Sequence, residues 1–254
     1  VSAKRGIFLP PFDELVDPRT LVELAQAAEE RGWDGFFLWD HIAYRAPVRA
    51  LADPWVVLGA IANATEKVRL GPMVTPLSRR RVQKVARETV TLDRLSGGRL
   101  TFGVGLGGAE DIELEPFGEE VDARKRAQML DEGLEKLTAF WAGEFEPPPV
   151  QEPRIPVWVA ARWPNRRPVR RAARWDGLFV IDLAGQPDAL EELANEVRDL
   201  RAGNDDPFDL VVEIPFGDDA APWEAAGATW ILTDCESLQP RLADVRDAID
   251  AGPS

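Results

Sequence analysis

The sequence predicts an α/β chain that closes into a (β/α)8 barrel, read as one domain over residues 1–254. Three observations carry this expectation. Eight short strand-like segments recur along the chain, each followed by a helical pattern or a helical remnant. Several of those segments are unbroken apolar runs, as strands covered on both faces should be. The length suits a single closed barrel, which typically takes about 250 residues, better than an open doubly wound sheet.

The elements follow in order. Residues 4–9 (KRGIFL) form the first strand, stopped by Pro10-Pro11. Asp17-Pro18 opens a helix, with Asp as N-cap and Pro at the first helical position, and Gly32 closes it in the left-handed conformation. The second strand, 35–39, runs straight into Asp40-His41. Asp53-Pro54 repeats the start signal, and the helix it opens is apolar almost all round, which implies burial on two sides. Residues 68–71 make the third strand, leading into Pro72-Met73-Val74-Thr75-Pro76, and a helix is expected from Arg80 to Leu95.

The fourth strand spans 99–105 and leads into Leu106-Gly107-Gly108. After an acidic loop comes a helix over 122–141, whose Leu130, Leu134, Leu137 and Trp141 keep helical spacing. The remaining strands are expected at 155–160, 177–181, 210–214 and 229–232, with helices at 187–201 and 240–251 and shorter helical pieces between.

Composition narrows the chemistry. One cysteine, Cys235, and one histidine, His41, leave neither an intrachain disulfide framework nor a set of Cys/His metal ligands, so no metal site is expected. The formal net charge of −14 argues against nucleic acid or an anionic membrane as partner. No apolar run approaches the ~20 residues of a membrane span, and no signal-length segment follows the basic start, so a soluble, cytoplasmic protein is expected. Redox chemistry in such a chain calls for a bound organic cofactor.

A barrel of this kind places chemistry at the C-terminal ends of its strands. Those ends are Asp40 and His41; Met73, Val74 and Thr75; Gly105, Leu106, Gly107 and Gly108; Ala161, Arg162 and Trp163; and Asp182. His41 is the only side chain that ordinarily titrates near neutrality. A lone histidine after a strand is often only a packing residue, so its role depends on what surrounds it. Gly103-Val104-Gly105-Leu106-Gly107-Gly108 fits G-x-G-x-x-G, but the acidic, Pro116-containing segment after it offers no helix N-terminus to a pyrophosphate. A bare backbone floor for a flat ring is the better reading.

Two stretches break the acidic trend. Residues 154–175 hold seven arginines and no acid, and residues 78–87 hold Arg79, Arg80, Arg81, Lys84 and Arg87. Both start where a helix begins, and cations there oppose the helix dipole. A compensating phosphate or carboxylate tail explains them, most of all for Arg162, Arg166 and Arg167; the outer arginines read as a solvated face.

The chain resembles the bacterial luciferase-like family of flavin- and deazaflavin-dependent oxidoreductases over nearly its whole length. The resemblance rests on Phe37-Leu38-Trp39-Asp40-His41, Val68-Arg69-Leu70-Gly71 with Val74-Thr75-Pro76, Glu88-Thr89 through Leu92 to Arg99, Gly103-Val104-Gly105, Pro156-Val157-Trp158-Val159 and Arg171 to Gly177. It implies a TIM-type barrel, a homodimer, and an isoalloxazine or deazaflavin ring lying across the mouth. A backbone bulge at Met73-Val74, often with a non-prolyl cis peptide, would support that ring. Thr75, Gly105, Leu106 and Gly107 would lie beside it. Ala160, Ala161 and Arg162, with Arg166 and Arg167, would take the cofactor phosphate.

The pair Asp40-His41 resembles that of members using coenzyme F420, where the Asp touches the deazaflavin and the His exchanges a proton with substrate. The acidic tail of coenzyme F420 also suits the arginines. FMN is the alternative cofactor, with monooxygenase chemistry. Sugar-phosphate-oxidising members carry a Glu shortly after the fourth-strand glycines; Gly108 stands at that place here, with Glu110 two residues on. The expected function is hydride transfer between the cofactor and a small carbonyl, alcohol or enone. A non-catalytic flavin-binding protein and a flavin-free phosphate-metabolite enzyme are the other readings.

Overall fold

The computed structural model describes residues 2–108, 110–183, 185–234 and 238–253. Cys235 lies outside them. Nine parallel strands follow one another round a barrel: β1 (Lys4–Leu9), β2 (Gly35–Leu38), β3 (Arg69–Pro72), β4 (Thr75–Pro76), β5 (Phe102–Gly105), β6 (Val157–Arg162), β7 (Gly177–Ile181), β8 (Asp209–Pro215) and β9 (Trp230–Asp234). Their order is β3-β2-β1-β9-β8-β7-β6-β5-β4. A parallel bridge between Leu70 and Leu100 joins β3 to the approach of β5, with Thr101 donating to the Leu70 carbonyl at 2.9 Å. That bridge closes the ring.

Nine strands stand among the described residues where eight were expected. β3 is the third predicted strand, and β4 is an added two-residue strand in the stretch expected to follow it, set off by the Met73–Val74 peptide, which is cis. The fourth predicted strand is also shorter than expected, since residues 99–101 contribute only the closing bridge and regular pairing starts at Phe102.

The helices are α1 (Pro18–Glu30), α2 (Pro54–Ala64), α3 (Val82–Leu95), α4 (Ala123–Ala139), α5 (Arg167–Ala172), α6 (Pro187–Leu200), α7 (Ala221–Ala225) and α8 (Leu242–Ala251). The Asp-Pro signals act as read: Asp17 caps the Arg19 N–H and Asp53 caps the Val56 N–H. Asp122 does the same for Arg124 and Lys125 at the start of α4. None of the described helices is long and apolar enough to cross a membrane.

The apolar residues sort into two layers. One lies between sheet and helices, with Leu21, Leu24, Leu58, Ile61, Leu130, Leu134 and Leu190 among its members. The other fills the barrel: Phe8, Phe37, Met73, Trp158, Phe179, Val211, Trp230 and Leu232. Trp158 packs against Phe37 at 5.5 Å and against Trp230 at 5.4 Å between ring centres. Such tilted and edge-on contacts favour a dry, fixed interior. The barrel is therefore plugged with aromatic rings below its mouth, and Trp39, Val74, Ala160 and Ile181 form a partly buried apolar rim on top.

Candidate active site at the barrel mouth

Asp40 and His41 leave the end of β2 in opposite directions, as adjacent residues of an extended segment must. The Asp40 carboxylate is buried, and its side chain has no exposed surface. Four side chains donate to it: Trp55 Nε1 at 2.9 Å, Thr75 Oγ1 at 2.7 Å, Arg79 Nη2 at 3.1 Å, and Arg80 Nη2 at 3.0 and 3.1 Å from its two oxygens. Arg80 also lies over the Trp55 ring, 5.3 Å from its centre. Asp40 is thus the anchor of a closed charge network that ties β2 to α2, β4 and the turn at Leu77–Arg79.

His41 points the other way. Its Nδ1 lies 2.9 Å from Glu113 Oε2, and the ring packs edge-on against Tyr44 at 4.7 Å, with Phe12 and Trp39 near 6 Å. The histidine side chain keeps 23% of its surface exposed, whereas Glu113 keeps 1%. Glu113 sits in a single turn, Glu110–Leu114, of the acidic loop after β5. Its other oxygen takes the Ile42 N–H at 2.8 Å and Arg79 Nη1 at 3.0 Å.

Burial works to raise the Glu113 carboxyl, but the hydrogen bond and charge of His41, the Ile42 N–H and the Arg79 guanidinium outweigh it and hold the group below its ordinary range. A carboxylate can only accept. Nδ1 of His41 is therefore the donor in this pair, and in the neutral ring the lone pair is on Nε2.

The loop carrying Glu113 is itself held. Arg126, buried on α4, donates to Glu110 Oε1 at 2.6 Å and to the carbonyls of Glu120 and Val121. Glu113 was not among the residues singled out from sequence, where its segment was read only as an acidic loop. A signal existed: Glu113 is flanked by Ile112 and Leu114 in an otherwise polar stretch, and alternation of that kind marks a turn that buries something.

The glycines of β5 serve a different surface from the one expected. A Cβ on Gly103 would meet the Pro72 carbonyl oxygen at 2.4 Å and Met73 Sδ at 2.6 Å, and one on Gly105 would meet Val74 Cγ2 at 2.8 Å. These two residues are bare so that the Met73–Val74 bulge can pack against β5. Met73 is buried and Val74 half-buried; Leu106 and Gly107 are half-buried at the rim, and Thr75 is committed to Asp40.

At the end of β6, Ala160 is half-buried on the rim, Ala161 is buried and faces the helices, and Arg162 is exposed and paired with Asp182. Arg166 is answered by Glu192 at 2.5 Å and Glu196 at 2.8 Å, and it covers the Trp163 ring. Arg171 and Arg174 share Asp131. The anions that balance the basic stretches are thus largely the chain's own carboxylates; Arg167 is exposed and, among the described residues, has no acidic partner. The expected helix start at Arg80 is displaced for the same reason. Arg79 and Arg80 turn inward to Asp40, and α3 begins at Val82.

A second carboxyl at the mouth also escaped the sequence reading. Glu213 follows Val211 on the inward-facing side of β8. Burial pushes its carboxyl up to about 7, and the charges of Asp234 and Asp182 add to that rise against the Asp182 N–H and Arg162. An acid at an inward position of an otherwise apolar strand was the available clue.

The sequence profile described as luciferase-like monooxygenase matches residues 4–246, which is nearly the whole chain. The chain belongs to the luciferase-like family. Among curated members, the F420-dependent glucose-6-phosphate dehydrogenase of Beutenbergia cavernae is 31% identical over 240 residues, covering 84% of this chain and 68% of that protein. The oxygenase component of the flavin-dependent trigonelline monooxygenase of Acinetobacter baylyi is 30% identical over 159 residues, or 57% of this chain and 43% of that one. This luciferase-like chain therefore spans less than half of the monooxygenase component. Among solved structures, the coenzyme F420-dependent tetrahydromethanopterin reductase of Methanopyrus kandleri superposes with a TM-score of 0.71 over 97% of both chains at 16% identity, a likeness of fold. Luciferase-like members of both cofactor classes, F420 and flavin, are thus relatives of this enzyme.

Proposed function

We propose that this luciferase-like enzyme transfers hydride between coenzyme F420 and an organic carbonyl, alcohol or enone, with His41 as the proton donor or acceptor. The observation that carries the reading is the His41–Glu113 pair: a half-exposed imidazole, fixed through Nδ1 by a buried carboxylate, at the catalytic rim of the barrel.

The residues at the mouth fit a flat tricyclic ring. Trp39, Val74, Ala160 and Ile181 offer it an apolar rim above a dry plug, and the buried Trp39 Nε1 is a donor without a partner among the described residues. Val74, Leu106, Gly107 and Ala160 would hold the ring, with Met73 and Thr75 behind them. Ala161, Arg162, Arg166 and Arg167 would stand towards its tail, and there Arg167 is the guanidinium without an acid to displace. Asp40 would act from beneath, by fixing Thr75 and the two arginines. When bound, the cofactor supplies or accepts the hydride. His41 then works at Nε2, giving a proton to an oxygen that becomes a hydroxyl, or taking one from a hydroxyl that becomes a carbonyl. Glu113 steadies the ring in both charge states, and the aromatic neighbours Phe12, Trp39 and Tyr44 keep water from its flank.

FMN is the second reading, favoured by the likeness to the flavin-dependent monooxygenase component. Fluorescence titration of each cofactor, followed by a turnover assay on ketones, enones, aldehydes and secondary alcohols, tests the proposal. Turnover with F420 lost in His41→Ala supports it. Turnover with FMN and oxygen alone selects the alternative, and silence with both despite tight binding leaves a carrier. As a homodimer, the proposed enzyme would cover Val56, which projects with 72% of its surface exposed from the outward face of α2, beside the exposed Ala60 and Asn63.

A further inference from the structure

Arg79 leaves the turn after β4 and is almost fully buried, with 4% of its side chain exposed. Its two terminal nitrogens face different carboxylates. Nη1 donates to Glu113 Oε1 at 3.0 Å, and Nη2 donates to Asp40 Oδ1 at 3.1 Å and to the Asp40 carbonyl at 3.3 Å. One planar group therefore fixes the distance between the end of β2, where His41 stands, and the loop after β5, where Glu113 stands. A fork of this geometry is specific to arginine.

The division of labour at Glu113 follows. Oε1 is occupied by Arg79 and the Ile42 N–H, which leaves Oε2 aimed at His41 Nδ1. Arg80, the next residue, carries the same charge but reaches Asp40 and, at 3.9 Å, Glu88, and not Glu113. The adjacent pair thus separates two effects: both arginines neutralise the buried acids, and Arg79 alone touches the carboxylate that orients the imidazole.

We propose that Arg79 is a positioning residue which, through Glu113, locks His41 in the Nδ1–H tautomer and so keeps Nε2 as its exchanging atom. Its catalytic meaning rests on the hydride-transfer reading above, but the tautomer itself is a property of the protein alone. The lock is a chain of two hydrogen bonds, guanidinium to carboxylate and carboxylate to imidazole. Severing the first leaves a buried carboxylate held at Oε1 by the Ile42 and Ala43 N–H groups alone, with less to keep Oε2 aimed at the ring.

His41 is the sole histidine, so histidine-selective 15N labelling yields one imidazole whose two nitrogens report the tautomer directly. In the cofactor-free protein at alkaline pH, the expected spectrum is that of a single Nδ1–H ring. Arg79→Gln is expected to shift it towards the Nε2–H form that solvent-exposed histidine favours. Arg79→Lys, which keeps the charge but not the fork, is expected to fall between. Arg80→Gln is expected to lower the melting temperature yet leave the parental tautomer. A parental spectrum in folded Arg79→Gln overturns the proposal. If that variant does not fold, a parental spectrum in Arg79→Lys overturns it, and a mixed one supports it. A loss of the Nδ1–H form in Arg80→Gln equal to that in Arg79→Gln also overturns it, because general loosening of the network then suffices. Absence of any turnover would remove the hydride-transfer reading without touching these spectra.

Discussion

His41 has one ring nitrogen committed to a buried carboxylate and the other available at the rim. His41→Ala is expected to keep cofactor affinity, since the apolar rim and backbone make the cradle, while kcat falls by roughly 10²–10⁴-fold, the usual range for loss of a general acid or base. Steady-state assays beside fluorescence titrations measure both. Glu213 gives a pH prediction with a definite sign. Its carboxyl is raised from 4.5 to about 7 in the folded protein, so between those values the native state holds a proton that the unfolded chain releases. Stability from this group is greatest below 4.5, declines as pH rises, and is lost above 7. Glu213→Gln should match the parent at pH values near the unfolded carboxyl and be more stable above neutrality, by on the order of 2 kcal/mol. Urea unfolding of both proteins at acid and alkaline pH measures it. An advantage that shrinks as pH rises would contradict the burial argument.

The bulge between β3 and β4 is the element on which the mouth depends. Gly103→Ala places a methyl against the Pro72 carbonyl oxygen, a backbone atom that moves only with its strand. A loss of about 1–3 kcal/mol is expected, with weaker cofactor binding, because Val74 is displaced from the rim. Thermal unfolding and titration of the variant check the two halves. At this scale much was legible in the sequence. Asp-Pro starts, apolar runs and glycine stops are local signals, and they located the eight predicted strands and the long helices to within a few residues, though not the two-residue β4. The bulge was legible only through the family resemblance, since nothing in Pro72-Met73-Val74 dictates a cis bond by itself. The site's polar half was not legible. Arg79 and Arg80 belong to a stretch read as facing an external anion and Glu113 to one read only as an acidic loop, and only three-dimensional closure brings residues 34 and 72 positions apart in sequence into contact. Burial of charge is a property of the assembled network, and no window of sequence contains it.

For the whole molecule, most cations of the two basic stretches find internal carboxylate partners, and the net charge of −14 is carried by the acids in excess of them. The chain's carboxylates meet its own guanidiniums round the barrel, as in Arg5–Glu224 and Arg154–Asp176. Val56 is a large apolar residue standing exposed on the outward face of α2, which it shares with Ala60 and Asn63. If α2 forms the proposed dimer contact, Val56→Asp is expected to halve the particle mass in sedimentation velocity while leaving the unfolding profile of the protomer cooperative. The account as a whole stands on the mouth being a flavin-type cradle served by His41. Titration of coenzyme F420 fluorescence with the parent protein and with His41→Ala tests this most directly. Saturable quenching with the same dissociation constant in both is predicted, because in the proposed cradle the ring would be held by Val74, Ala160 and the rim rather than by the imidazole. No quenching by the parent, for F420 or for FMN, would contradict it.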